Sequence, residues 1–165
     1  MNDKKYKHIL IIEDEQDVVQ QIKMALYTHF DCTVDVAYNG KEGLDKLKEG
    51  EVYDLVILAL LIPALNGIEV CQAMLEDDRL KGIPVLLISV LPLSSEAFQR
   101  SRQKFKELVL VREVLEKPFS NTALLKKVQT ILSISPSEVP DSEGRTYHIQ
   151  NYAPSINDRG KPYKR

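Results

Sequence analysis

The chain has 165 residues, 44% hydrophobic and 28% charged, enough for one domain with an ordinary core and too few for two large ones. Lys+Arg 22 against Asp+Glu 24 leaves a net charge of −2, which excludes any general attraction to nucleic acid or anionic lipid. Cys32 and Cys71 have neither C-x-x-C nor metal-ligand spacing, so they read as reduced thiols of a cytoplasmic protein. The polar stretch from Met1 to Lys7 is not that of a signal peptide. The longest apolar run, Leu55 to Leu65, is about half of a membrane span.

Along the chain, short apolar blocks alternate with stretches of helical period, the pattern of βα units around a parallel sheet. The blocks are 8–12, 33–37, 55–59, 84–89 and 109–115. The first, third and fourth are apolar at consecutive positions, as central strands covered on both faces should be. Thr33 and Asp35 interrupt the second, which places it at an edge. Val18, Val19, Ile22, Ala25, Leu26 and Phe30 line one face of a helix over about 15–29. A second helix follows Asn39-Gly40, turns Leu44 and Leu47 inward and stops at Gly50; a third runs from Gly67 to Leu80 with Ile68, Cys71, Met74 and Leu75 inward. Ser94 or Ser95 caps a fourth through Phe98, Arg102 and Phe105, and Ser120 caps a fifth with Leu124, Leu125, Val128, Ile131 and Leu132 buried. The expected fold is α/β, a (βα)5 doubly wound, flavodoxin-like domain over 1–133. Residues 134–165, rich in Pro, Gly, Ser, Asn and Asp, read as a flexible tail, too short for a DNA-binding helix-turn-helix module.

In an open parallel sheet, ligands gather beyond the carboxyl ends of the strands. The residues there are Glu13 and Asp14 after the first block, Ala59 closing the third, Ser89 closing the fourth, and Lys117-Pro118-Phe119 after the fifth. Adjacent carboxylates suit a hard cation such as Mg²⁺. A hydroxyl and a lysine suit the oxygens of a phosphoryl group. Each part alone is ordinary: an acidic pair caps a helix, a serine satisfies a strand end, and Lys-Pro leaves a strand.

Together, Ile9–Glu15, Asp54–Pro63, Asn66-Gly67, Pro84–Ser89 and Glu116–Phe119 resemble the response-regulator receiver domains of two-component signalling over about residues 7–133. In that family the acidic pair binds Mg²⁺, an aspartate ending the third strand takes a phosphoryl group from a histidine kinase, and the hydroxyl and lysine report it. The resemblance implies Glu13, Asp14 and the backbone carbonyl of Leu61 as metal ligands. It implies Ser89 as the switch hydroxyl and Lys117 as the lysine before a usually cis Lys-Pro bond.

At the position where that family carries its phosphoacceptor aspartate the resemblance places Ala59, whose methyl group has no oxygen to phosphorylate. Leu55 to Leu65 contains no Asp, Glu, Ser, Thr or His, and Asp54 lies five residues back, about 16 Å along an extended strand. The missing carboxylate weakens the Mg²⁺ site and frees Lys117 to pair with Asp14 or Glu13. Val114 stands where the family often has a switch aromatic. The segment between Ser89 and Lys117 is longer than usual and carries the basic run 99–106 on the fourth-helix, fifth-strand face. That face is the expected contact for a protein partner, a kinase or a downstream signalling protein, or for a homodimer.

Three functions follow: a receiver-fold interaction module that signals without phosphorylation, an ordinary receiver inactivated at position 59, or a small flavodoxin-like enzyme. The third is disfavoured because the chain has no G-x-G-x-x-G, no P-loop and no Ser or Cys nucleophile beside a histidine.

Overall fold

The computed structural model describes residues 6–100, 110–133, 138–140 and 146–148. Five parallel strands, β1 (Lys7–Ile12), β2 (Cys32–Ala37), β3 (Leu55–Ala59), β4 (Val85–Ser89) and β5 (Val111–Glu116), form one sheet in the order β2-β1-β3-β4-β5. The polar-interrupted block is indeed an edge, and every residue of β3 and β4 is buried. The helices between them are α1 (Gln16–His29), α2 (Gly40–Lys48), α3 (Gly67–Leu75), α4, described over 96–100, and α5 (Asn121–Ser133). The fold is thus the flavodoxin-like alternation that the blocks predict.

The period of two along each strand divides the core between two faces. Ile9, Ile11, Leu55, Ile57, Leu86 and Ile88 pack against α1 and α5 through Ile22, Leu26, Leu124 and Val128. Leu10, Ile12, Val56, Leu58, Val85 and Leu87 pack the other way, onto Leu47, Val70, Cys71, Met74 and Phe98. Burial drives the thiol of Cys71 up to about 12, which leaves it protonated and unreactive.

Local signals start the helices. Asn39 accepts from the Glu42 N–H at 2.8 Å to open α2, and Asn66 and Glu69 form a reciprocal capping box at 3.0 and 2.9 Å to open α3. Ser95 and Ser120 cap α4 and α5 by accepting from the N–H groups of Phe98 and Ala123. The third helix ends at Leu75, five residues before the sequence expectation. Asp77 is the cause: its side chain takes the Arg79 N–H at 2.9 Å and the guanidinium at 3.1 Å, and its carbonyl takes the N–H groups of Leu80 and Lys81. This local bonding competes with the helical ladder.

Glycine decides the approach of α3 to the sheet. A Cβ on Gly67 would lie 2.7 Å from the Ala59 carbonyl oxygen, so only glycine lets the helix begin directly above the end of β3. The turn leading there places Ala64 at φ 72.

At the opposite, amino-terminal end of the sheet lies a cluster that no motif in the chain announces. His8 Nε2 lies 2.8 Å from Asp35 Oδ2, the Tyr53 hydroxyl donates to the same oxygen at 2.7 Å, and His8 Nδ1 lies 3.4 Å from Glu51. Burial works against the Asp35 carboxylate, but the bonds from Tyr53 and His8 outweigh it and hold its pKa below the ordinary value of 3.8. A depressed carboxylate stabilises the fold above its unfolded pKa and loses that contribution as pH falls through the folded one. The stability advantage of the parent chain over Asp35→Asn, measured by urea unfolding, is therefore expected to be full at neutral pH and to shrink below about pH 4. An advantage that grows in acid would contradict this.

The expected run of the fourth helix through Arg102 and Phe105 falls outside the described residues. In the segment after Ser133 two short strands, β6 (Glu138–Pro140) and β7 (Thr146–His148), pair antiparallel; the remainder of that segment also lies outside the described residues.

Candidate functional site

Strand register assembles the site. Ile12 pairs with Leu58 and Ala59 with Ile88, so Glu13, the first residue past β1, comes alongside Ala59, the last residue of β3. Ser89 pairs with Glu116, and the Lys117 N–H donates to the Ser89 carbonyl at 2.7 Å. The Lys117-Pro118 bond is cis. Glu13, Ala59 and Lys117 are in phase with the α1/α5 face, and Ser89 with the other.

Glu13 is 1% exposed, the most buried carboxylate described. Its Oε1 accepts from the Glu15 N–H at 3.1 Å, and its Oε2 lies 2.9 Å from Lys117 Nζ. That contact is an ion pair without hydrogen-bond alignment: among the described residues no donor is aimed at Oε2. Lys117 Nζ also donates to Glu15 Oε1 at 3.0 Å. Burial raises the Glu13 pKa, with Lys117 pulling the other way. Burial disfavours the Lys117 ammonium too, but Glu13 and Glu15 more than compensate and raise its pKa.

The sequence expectations meet this geometry unevenly. Of the two partners foreseen for Lys117, the ion pair forms with Glu13. Asp14 is exposed, and the second carboxylate on the ammonium is Glu15 instead. Glu15 was legible only as a helix-opening acid, because its approach to Lys117 needs the β1 and β5 ends to be neighbours in space. Ser89 is fully buried, but its hydroxyl donates to the Leu91 carbonyl at 3.0 Å and accepts from the Leu91 N–H at 3.1 Å. Both bonds tie it to the loop after β4. Leu61 carries an exposed side chain just past Leu60, whose N–H donates to the Ile88 carbonyl. Val114 is half-buried against the α2/α3 core.

The chemistry of Glu13 suits a hard divalent cation: it is a buried carboxylate with one oxygen at which no hydrogen bond is aimed, followed in the chain by a second, exposed carboxylate, Asp14. A second group, His8, Asp35 and Glu51, is close enough to be considered for a metal. There the two carboxylates sit on opposite nitrogens of one ring, the arrangement of an ion-paired imidazole rather than of ligands converging on one point.

With fold and pocket in view, kinship is clear. Residues 9–129 match the model of the response regulator receiver domain, and the chain belongs to that family. Among curated proteins it is similar to the response regulator ArlR of Staphylococcus aureus, 29% identical over 150 residues, covering 90% of this chain and 64% of the relative. The chain thus spans somewhat under two thirds of the curated relatives it matches. Among solved structures it resembles the signal receiver domain of a signal transduction histidine kinase from Syntrophus aciditrophicus, with 26% identity, TM-score 0.65, and coverage of 77% of this chain and 90% of that one. It also resembles the chemotaxis response regulator CheY4 of Vibrio cholerae, with 24% identity, TM-score 0.68, and coverage of 77% and 99%. The receiver family belongs to two-component signalling and is not an enzyme family. Among the described residues no helix is long and apolar enough to cross a membrane.

Proposed function

We propose that this chain is a receiver-type signalling module whose phosphoacceptor position holds Ala59, and that it acts through protein contacts that do not depend on phosphorylation. One observation carries the proposal: the residue that ends β3, beside Glu13 in the register and 3% exposed, is an alanine. Phosphoryl transfer to a receiver needs a carboxylate oxygen to attack phosphorus, and a methyl group offers no lone pair. Asp54 does not substitute, because it precedes β3 and exchanges bonds with the His8 backbone at the far end of the sheet.

Glu13, Asp14 and the Leu61 carbonyl are the residues that would hold Mg²⁺, whose chemistry in such a pocket is to neutralise phosphoryl oxygens. Ser89 and Lys117 complete the phosphate pocket. That these parts persist around Ala59 also favours a second reading, an ordinary receiver rendered inactive at one position; both give this polypeptide the same chemistry. The domain is assigned to 1–133 and the tail to 134–165. The partner, a histidine kinase or a downstream signalling protein, is assigned to the face of α4 and β5, where the basic run 99–106 begins. The same face would serve a homodimer. Free, buried thiols at Cys32 and Cys71 accord with a reducing, cytoplasmic setting.

An amide NMR spectrum recorded with Mg²⁺, and again after adding beryllofluoride, tests the proposal. The two spectra are expected to coincide. New shifts running from Ala59 through Ser89 to Val114 would overturn it.

A further inference from the structure

We propose that Lys117 is the resident cation of this pocket, and that a divalent cation reaches Glu13 only by displacing the lysine ammonium. The inference rests on the pocket assignment just made and concerns its regulation.

The two oxygens of Glu13 are differently placed. Oε1 takes the Glu15 N–H at 3.1 Å, and Oε2, buried and without an aligned hydrogen bond, faces Lys117 Nζ at 2.9 Å. Oε2 is therefore the oxygen left for a metal, and the ammonium already covers it. A magnesium-sized ion bonds oxygen at about 2.1 Å, so on Oε2 it would sit within a few ångströms of Nζ with like charge against like in a poorly solvated site. The two cations exclude one another.

Lys117 also has somewhere to go. Its second partner, Glu15, lies 3.0 Å away and is more than half exposed, whereas the Lys117 side chain is 13% exposed. The ammonium can let go of Glu13 and stay on Glu15 at the pocket rim. Two arrangements result: lysine on Glu13 and Glu15 with the pocket closed, or lysine on Glu15 alone with a divalent cation on Glu13 and Asp14. With Ala59 ending β3, no carboxylate at that position holds the lysine aside or adds charge for the metal.

Binding of Mn²⁺ to the full chain, read from the loss of the free-ion electron paramagnetic resonance signal, tests this. Lys117→Gln is expected to bind Mn²⁺ about tenfold or more tightly than the parent chain. Lys127→Gln, which removes an equal charge from a pair with Glu113 elsewhere, is expected to bind as the parent does. Equal binding by the parent and Lys117→Gln, or binding by neither, overturns the proposal. If Lys117→Gln does not fold without metal, recovery of its native circular dichroism on adding Mn²⁺ supports the proposal and failure to recover overturns it. A second readout needs no variant wherever the parent binds: acetylation of Lys117, followed by peptide mass, should accelerate over the Mn²⁺ range that fills the site, while Lys127 stays constant. An unchanged Lys117 rate at filled sites overturns the proposal. None of these readouts involves phosphoryl transfer, so their failure leaves the assignment of Ala59 standing.

Discussion

An Ala59→Asp chain is expected to take up a single phosphoryl group when incubated with acetyl phosphate and Mg²⁺. The new carboxylate oxygen attacks phosphorus, acetate departs with its electron pair, and an acyl phosphate remains that hydroxylamine cleaves. The register supplies the rest of the machinery: position 59 ends β3 beside Glu13, and Lys117 already lies 2.9 Å from Glu13. Restoring a third carboxylate adds charge for the cation and gives the ammonium a partner other than Glu13. The effect is close to all or none, since uptake requires an attacking oxygen that the parent residue does not have. A variant that folds but stays unmodified would show that position 59 is not the acceptor position.

Lys117→Ala is expected to lower the unfolding free energy by about 3 kcal/mol in metal-free buffer, because it leaves Glu13 buried with no counter-charge. The cost falls on one side of the pair. Glu13 is 1% exposed and keeps only the Glu15 N–H, whereas Glu15, largely in solvent, loses little. Glu15→Ala should accordingly cost no more than about 1 kcal/mol, the range of a solvated ion pair. Urea unfolding of the two variants checks the ranking. A greater loss from Glu15→Ala would show that the exposed carboxylate, not the buried one, depends on the lysine.

How far these features were legible in the chain depends on whether their causes are local. The block 55–59 coincides with β3 because buried apolar residues on consecutive positions have one satisfactory home, the middle of a sheet covered on both faces. Asp35 and Thr33 marked β2 as an edge, since a partly solvated strand tolerates them. Asn39, Ser120 and the Ser94-Ser95 pair announced helix starts, which Asn39, Ser95 and Ser120 supply through bonds that span three residues; the capping box of Asn66 and Glu69 was not read from the chain. The early end of α3 was not visible, because the carboxylate of Asp77 had two uses, continuing a helix face or closing a turn, and only the turn brings it to Arg79.

The site divides in the same way. Glu13 and Lys117 could be placed from strand ends alone. The attachment of Ser89 to Leu91 could not, because it depends on the path of the loop after β4. Nor could the second bond of Lys117, to Glu15, which joins groups 102 residues apart. The cluster of His8, Asp35, Glu51 and Tyr53 was missed for that reason too: its members come from two strands and the approach to a third, and no spacing in the chain relates them.

The measurement that bears most directly on the account is the intact mass of the unsubstituted chain after incubation with acetyl phosphate and Mg²⁺. The predicted spectrum is that of the untreated polypeptide, with no phosphorylated species growing over time. A stoichiometric, hydroxylamine-labile phosphoryl adduct on the parent chain would contradict it, because some carboxylate other than the one absent at position 59 would then be receiving the group.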